Sequence, residues 1–198
     1  MANVKTISEF KSKLSGGGAR PNLFEVSLAF PQELQIDNND VLDRSTFLVK
    51  AATLPASTIG PIEVPFRGRI LKIAGDRTFE TWSITVLQDT DFAIRSAFEQ
   101  WMNFINHMQD ATGAVDNANY METATVHQLD RDGSTLRSYK FYDIFPTTVS
   151  TVDLSYENTD AIEEFTVDLQ VQWWEAIKGT GDAAGGANVP LNLTTSNT

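Results

Sequence analysis

Every second residue between positions 165 and 173 is large and apolar, and the residues between them are polar. Successive side chains of a β-strand point to opposite faces of its sheet. The alternation therefore predicts a strand whose one face packs in a core while the other meets solvent or a polar lumen. The apolar positions are Phe165, Val167, Leu169, Val171 and Trp173.

Similar patterns recur along the chain, separated by turn residues such as Asp130-Arg131-Asp132-Gly133. One segment, residues 91–108, instead has apolar residues at helical spacing, and its aromatic stripe is interpreted as core packing. The fold class predicted is mainly β: an antiparallel β-sandwich or barrel flanked by one α-helix. The predicted strands are residues 24–30, 47–50, 79–87, 123–129, 135–144, 148–156 and 164–174, with turns or loops at 37–40 and 157–160.

The two ends of the chain differ from its middle. Ser15 and three glycines separate a flexible N-terminal arm, residues 1–19, from the β-domain at 20–178, and residues 179–198 form a polar tail that cannot fold alone. In the arm, Val4, Ile7 and Phe10 have roughly helical spacing. Two interpretations stay open: the arm docks on a neighbouring molecule, or it packs on its own domain.

Several classes of chemistry find no support in these residues. The chain has no cysteine, which excludes disulfides, thiolate metal sites and cysteine nucleophiles. His107 and His127 lie in no metal-ligand spacing and are interpreted as structural. Residues 130–133 resemble the opening of a calcium loop, but Phe141 stands where the bidentate Glu belongs, so we favour a turn. We predict no enzyme, no cofactor, no catalytic or metal-binding residue, no membrane segment and no secretory signal.

Negative charge is concentrated in the second part of the chain. The net charge is −11, and residues 76–198 carry six Lys/Arg against nineteen Asp/Glu. A protein this acidic does not bind phosphate backbones tightly. Its negative charge therefore serves either to keep the protein soluble or to repel a polyanion. Paired carboxylates also act in glycosidases, but acids in a turn are usually just solvated. The clustered acids are Asp153, Glu157, Asp160, Glu163, Glu164 and Asp168.

Four blocks carry a resemblance to a known family: residues 20–26 (RPNLFEV), 50–56 (KAATLPA), 75–79 (GDRTF) with Trp82, and the stretch from 145–147 (FPT) through Phe165 to 174–175. Their order and spacing closely resemble the tail tube proteins of T-even-like contractile-tailed phages, the myovirus tail tube family. The likeness spans roughly residues 20–175. Residues 32–45 look like an insertion, and the tail from 179 looks extended.

The resemblance implies a structural virion protein that forms the inner tube of a contractile tail. Hexameric rings would join their sheets into a continuous inner β-barrel and stack into a tube that conducts DNA into the host. The implied partners are further copies of the chain, the tail sheath protein, and baseplate and tail terminator proteins. Phage DNA would pass without specific binding. The implied location is the virion tail tube, assembled in the host bacterial cytoplasm.

Two sets of residues are predicted to serve such a tube. The six acids named above are candidates for a lumen that repels DNA. Residues 59–77 are extended and basic, which favours a ring-stacking element, although an ordinary long hairpin is the alternative. The stacking candidates are Ile59, Pro65, Phe66, Arg67, Arg69, Lys72 and Arg77.

Other functions remain open at this point. The nearest is the tube of a related contractile injection or secretion particle, or a baseplate tube initiator. A monomeric carbohydrate-binding β-sandwich would use exposed aromatics such as Trp173 and Trp174, although the alternation puts one of them in the core. An acidic hydrolase is the least favoured.

Overall fold

The computed structural model describes residues 6–14, 18–34, 36, 38–157 and 159–178. Nine strands and three α-helices fall within these ranges, and a short 3-10 turn spans Asn117–Asn119. In chain order they are α1 Ile7–Lys13, β1 Phe24–Leu28, α2 Asn38–Leu48, β2 Val49–Ala52, β3 Ser57–Phe66, β4 Arg69–Phe79, β5 Trp82–Leu87, α3 Ala93–Ile105, β6 Glu122–Leu129, β7 Thr135–Val149, β8 Glu164–Gln170 and β9 Trp173–Lys178.

The long strand β7 belongs to two sheets. Its first part lies between β6 and β9, and β1 lies outside β6, which makes the first sheet. Its last residues pair with β8, followed by β5 and β2, which makes the second sheet. All pairings are antiparallel. Asp143 adopts a positive φ of 53° between the two parts of β7, where the strand passes from one sheet to the other.

The two sheets face each other across one apolar core. Trp82 of β5 stacks on Phe141 of β7 with ring centroids 4.3 Å apart, and the Trp82 indole N–H donates to the Thr53 carbonyl at 2.9 Å. Burial of each large side chain contributes about 1.5–3 kcal/mol. The alternation predicted for β5 and β8 is confirmed by the buried residues Trp82, Ile84, Val86, Phe165, Val167 and Leu169.

Helix α3 lies within the predicted range, and its apolar stripe packs in the core as expected. Ile94, Ala97, Phe98 and Trp101 are fully buried. The Trp101 indole N–H donates to the Tyr120 carbonyl at 2.8 Å, so this buried polar atom has a partner.

The prediction of one helix beside the β-domain is wrong, because α2 also forms. Helix α1 lies in the arm, where the apolar spacing was already roughly helical. Sequence indicated a turn at 37–40, an inserted stretch at 32–45 and a strand at 47–50, but α2 runs to Leu48 and the strand starts at Val49. Tertiary contacts stabilise α2: Val41 and Ser45 are buried, and Arg44 pairs with Asp91 at 2.7 Å. Within the helix, the Ser45 hydroxyl donates to the Leu42 carbonyl at 2.8 Å.

The predicted strand at 148–156 is also wrong, since β7 ends at Val149 and the chain then leaves the sheet. The predicted strand at 164–174 is two strands, β8 and β9, separated by the buried Val171 and by Gln172. The chain changes sheet there, because β8 pairs with β5 in the second sheet and β9 pairs with β7 in the first.

Candidate assembly surfaces

The outward face of the second sheet is polar and rich in hydroxyls. Cross-strand pairs between β5 and β8 place Ser83 opposite Asp168 and Thr85 opposite Thr166. The Ser83 hydroxyl donates to the Asp168 carboxylate, and the two threonine hydroxyls lie 3.5 Å apart. At the end of the sheet, Glu164 pairs with Lys50 of the neighbouring β2 segment. This face therefore offers neutral hydroxyls and carboxylates, with Lys50 neutralised by its partner.

The structure separates the six acidic candidates into two groups. Asp168 and Glu164 lie in β8 and belong to the polar face. Asp153, Glu157, Asp160 and Glu163 instead belong to the connection between β7 and β8. This connection is tied to the end of β5, because the Gln88 N–H donates to the Glu163 carbonyl at 2.8 Å. Sequence analysis did not single out Lys50 as the partner of Glu164. The two side chains meet only because β2 and β8 both pair with β5.

Strands β3 and β4 form a separate two-stranded hairpin. Arg67 and Gly68 make its turn with φ of 46° and 81°, and positive φ at both central residues is typical of a type I′ turn. Gly75 sits at a bulge, where a Cβ would lie 2.7 Å from the Gly60 carbonyl oxygen. One face carries large exposed apolar side chains: Ile62, Val64, Phe66, Leu71 and Ile73.

The predicted stacking residues all belong to this hairpin. Phe66 is opposite Arg69 near the turn, with the Arg67 guanidinium 5.3 Å from the Phe66 ring centre. Lys72 pairs with Glu63 at 3.4 Å. A two-stranded hairpin is marginal in water by itself, so an exposed apolar hairpin of this length indicates a docking element.

Helix α1 is a capped helix with no buried side chain. The Thr6 hydroxyl accepts from the Glu9 N–H at 3.3 Å, and the Glu9 carboxylate accepts from the Thr6 N–H at 3.0 Å, which is a capping box. Ile7, Phe10 and Leu14 are exposed. Val4 lies outside the described residues, as do Ser15, Gly16 and Gly17 and the tail at 179–198.

The two tryptophans near the C-terminal end take the opposite phase from the one predicted. Trp173 is on the outward face, stacked on Tyr142 with ring centroids 4.0 Å apart. Trp174 points inward against Phe79 and Tyr139, because the break at Val171 and Gln172 shifts the alternation by one residue. Beside this pair, a hydrogen bond to the Glu175 carboxylate raises the pKa of Tyr142.

Both histidines have partners within their own part of the fold. His127 Nδ1 lies 2.7 Å from the Ser138 hydroxyl, and His107 Nδ1 lies 2.9 Å from Asp110. Hydrogen bonds from Thr112, and then from His107, lower the pKa of Asp110. Burial raises the pKa of Glu122. Among the described residues, no group of three His, Asp or Glu side chains could hold a metal ion, and no helix is long and apolar enough to cross a membrane.

Comparison with known proteins gives a consistent result. A family model described as phage tail tube protein matches residues 19–176. The chain is 32% identical over 162 residues to the tail tube protein gp19 of Enterobacteria phage T4, covering 81% of this chain and 93% of that protein. It is 25% identical over 169 residues to the tail tube protein of Serratia phage KSP90, covering 84% and 94%.

Solved structures share the fold at lower sequence identity. A chain of the six-fold symmetrised anti-feeding prophage baseplate superposes with a TM-score of 0.60 at 11% identity, covering 81% of this chain and 96% of that one. A chain of the PVC sheath–tube complex, an extracellular contractile injection system in its extended state, gives 0.56 at 14% identity, covering 88% and 99%. These likenesses support the mainly antiparallel β fold.

Proposed function

Because this chain belongs to the phage tail tube protein family, we propose that it forms the inner tube of a contractile phage tail as hexameric rings stacked along the tail axis. The observation that carries the proposal is the family match across residues 19–176, which spans both sheets and the hairpin. The role is structural and not enzymatic.

Ring closure uses the edges of the second sheet. Within the described part of the chain, β2 has a strand partner on one side only, and so do residues 145–149 of β7. Open edges promote aggregation unless they are paired or covered. Pairing β2 of one copy with the end of β7 in the next is a heterologous contact that a six-fold rotation closes, and it makes the second sheets one continuous barrel.

The polar face of the second sheet then forms the lumen wall. Its hydroxyls and the carboxylates of Asp168 and Glu164 offer no cluster of cations to phosphate groups. Binding to DNA depends on release of counterions by Lys and Arg, so DNA slides past such a wall without sticking. The four remaining acids, Asp153, Glu157, Asp160 and Glu163, add negative charge at one end of the sheet.

Contacts between rings and to other tail components use the remaining elements. The β-domain at 20–178 is the unit that forms each ring. The hairpin β3–β4 joins one ring to the next through its exposed apolar and basic side chains. The arm at 1–19 and the tail at 179–198 tether neighbouring copies. The outer surface meets the sheath, and the tube ends meet the baseplate and the tail terminator. The tube assembles in the host bacterial cytoplasm.

A second candidate is the tube of a related contractile injection particle or a baseplate tube initiator. The shared fold with the anti-feeding prophage and PVC chains supports it. The genomic neighbourhood distinguishes the two, because adjacent capsid and terminase genes identify a phage.

Cryo-electron microscopy of the purified protein at high concentration tests the proposal. We expect six-fold rings or hollow tubes whose inner wall is the second sheet, with Asp168 facing the bore. A protein that stays monomeric at high concentration and on its own purified baseplate would overturn it, and so would a bore lined by lysines and arginines.

A further inference from the structure

The connection between β7 and β8 forms an apolar groove that nothing in the described chain fills. The groove has a volume of about 550 Å³ and is lined by residues 152–156 and 161–164. Three of its large side chains are mostly in solvent: Leu154 is 80% exposed, Ile162 71% and Tyr156 fully. Exposed apolar side chains that line one concave surface are typical of an interaction site.

The tip of the hairpin β3–β4 is an apolar surface of matching character. Phe66 is 66% exposed, and Leu71, which lies on the same face of the hairpin, is 59% exposed. The Arg67 guanidinium stands over the Phe66 ring. This tip projects from a hairpin that pairs with neither main sheet. It is therefore a protruding apolar knob with a cationic rim.

The two surfaces carry opposite charge. Residues 150–164 contain five Asp/Glu and no Lys or Arg. The hairpin contains four Lys/Arg and two Asp/Glu, and two of its arginines, Arg67 and Arg69, flank the tip. Complementary charge around an apolar centre favours one partner and one register over others.

Their positions in the fold are also complementary. Both legs of the hairpin join the second sheet at the end where β5 begins, since Phe79 leads into Trp82 and the Thr53 N–H donates to the Ser83 carbonyl. The groove lies where β5 ends, because Leu87 pairs with Glu164. These ends are about 16 Å apart along the strand. The hairpin and the groove of one copy therefore join the second sheet at opposite ends.

We propose that the hairpin tip of one copy docks in the groove, lined by residues 152–156 and 161–164, of a copy in the next ring. The contact is heterologous and head-to-tail, so it repeats along the tube and adds rings without self-closure. This inference rests on the proposed function and names the acceptor surface that the hairpin uses. It also assigns Asp153 and Glu163 to the contact between rings.

Disulfide mapping tests the pairing directly, because the natural chain has no cysteine. A Phe66→Cys protein is mixed with an Ile162→Cys protein of distinguishable mass, and the mixture is assembled on baseplates and oxidised. We expect the 66–162 heterodimer to form roughly tenfold faster than a 66–115 heterodimer made with Val115→Cys, because docking raises the effective concentration of the pair. Val115 is 99% exposed and lies outside the groove, so it is the matched control.

Charge reversal provides a second readout on the same contact. The double substitution Arg67→Glu and Arg69→Glu should abolish tubes, and adding Asp153→Lys and Glu163→Lys to the same chain should restore them. Tubes that assemble while the 66–162 crosslink stays at the control level would overturn the docking site and leave the proposed function standing. A chain that gives neither tubes nor the crosslink would overturn both.

Discussion

At the scale of single residues, the sandwich depends on a few side chains that reach across it. Trp82 contacts the opposite sheet through Phe141 and satisfies its indole N–H on the Thr53 carbonyl. Arg44 performs a similar role at the surface, where it binds Asp89 and Asp91 and joins α2 to the turn before α3. These contacts connect segments far apart in sequence.

The Trp82→Ala variant tests the contact across the core. We expect it to lower the free energy of unfolding by about 3–5 kcal/mol, because it removes buried surface and leaves a cavity. Urea denaturation followed by circular dichroism measures the change. The exposed Val115→Ala variant is the control and should stay within about 0.5 kcal/mol. A loss for Trp82→Ala below about 1 kcal/mol would contradict the assigned packing.

The Arg44 contacts predict a specific dependence of stability on pH. The hydrogen bond and the charge of Arg44 lower the pKa of Asp91 from its ordinary value of 3.8. Because its pKa is lower in the folded state, ionised Asp91 stabilises the fold at any pH above its ordinary pKa. This contribution is lost as the pH falls through the pKa of the folded state. Asp91→Asn should therefore lower the Tm at pH 6, and its difference from the natural chain should shrink below pH 4.

Thermal unfolding at both pH values measures this difference. Glu157→Gln, which alters another exposed carboxylate, should leave the Tm unchanged at pH 6. If the Tm of Asp91→Asn stays equally far below that of the natural chain at a pH below 4, Arg44 does not bind the ionised Asp91 carboxylate.

At the scale of elements, α1 and the hairpin β3–β4 share one property. No residue of α1 is buried, and none of the core residues comes from β3 or β4. Both elements nevertheless present exposed apolar side chains, including Ile7 and Phe10 in α1 and Phe66 in the hairpin. An element that adds little to the stability of its own fold while exposing apolar surface is suited to contacts between copies.

Deletion of residues 65–72 should separate assembly from folding. Because the deleted tip lies outside the core, we expect a folded monomer whose free energy of unfolding changes by less than about 1 kcal/mol, and no tubes. Urea denaturation and electron microscopy measure the two outcomes. Arg131→Ala, in the turn between β6 and β7, is the control and should retain tubes. Normal tubes from the deletion variant would refute the stacking role.

Removal of residues 1–15 should weaken the contact between rings without unfolding the domain. A tethered arm raises the effective concentration of its docking partner, so its loss makes tubes dissociate at lower salt or urea. Sedimentation across a salt series measures this. In the intact chain, Ile7→Ser with Phe10→Ser should reproduce the effect, and Ser8→Ala should not. Equal tube stability in all these variants would remove α1 from the assembly.

At the scale of the whole molecule, charge and polarity are distributed by surface. The second sheet presents hydroxyls and carboxylates, and Lys50 is paired with Glu164. The cations of the hairpin belong to a different surface, outside both main sheets. A tube with this arrangement can stack through charge complementarity while its proposed bore repels DNA.

Charge reversal on the second sheet tests the non-adhesive wall. Glu164→Lys removes the partner of Lys50 and adds a second cation. Tubes of the double variant Glu164→Lys with Asp168→Lys should retain DNA at low salt and release it as the salt concentration rises. Retention of fluorescent DNA by pelleted tubes measures this. Asp116→Lys, away from that sheet, should retain as little DNA as the natural chain. If the Asp116 variant retains as much DNA as the double variant, the wall assignment is wrong.

The parts of the fold that sequence predicted are those governed by local periodicity. Ile84 and Val167 alternate with polar neighbours, and Phe98 and Trp101 recur at helical spacing, so their burial could be read directly. The family resemblance was likewise carried by short blocks of sequence, and the family match confirms it. The acids of the candidate lumen could be located in the chain, but their separation between a sheet face and a connection could not.

The remaining features were decided by contacts between distant residues. Helix α2 forms where the sequence has turn residues, because Val41 and Ser45 are buried against other elements and Arg44 binds Asp91. Trp174, and not Trp173, faces inward because the chain changes sheet at Val171 and Gln172. Alternation fixes which residues of one strand share a face, but the position of a strand in the sandwich depends on partners far along the chain. Only the tertiary structure therefore brings the groove and the hairpin to opposite ends of one sheet.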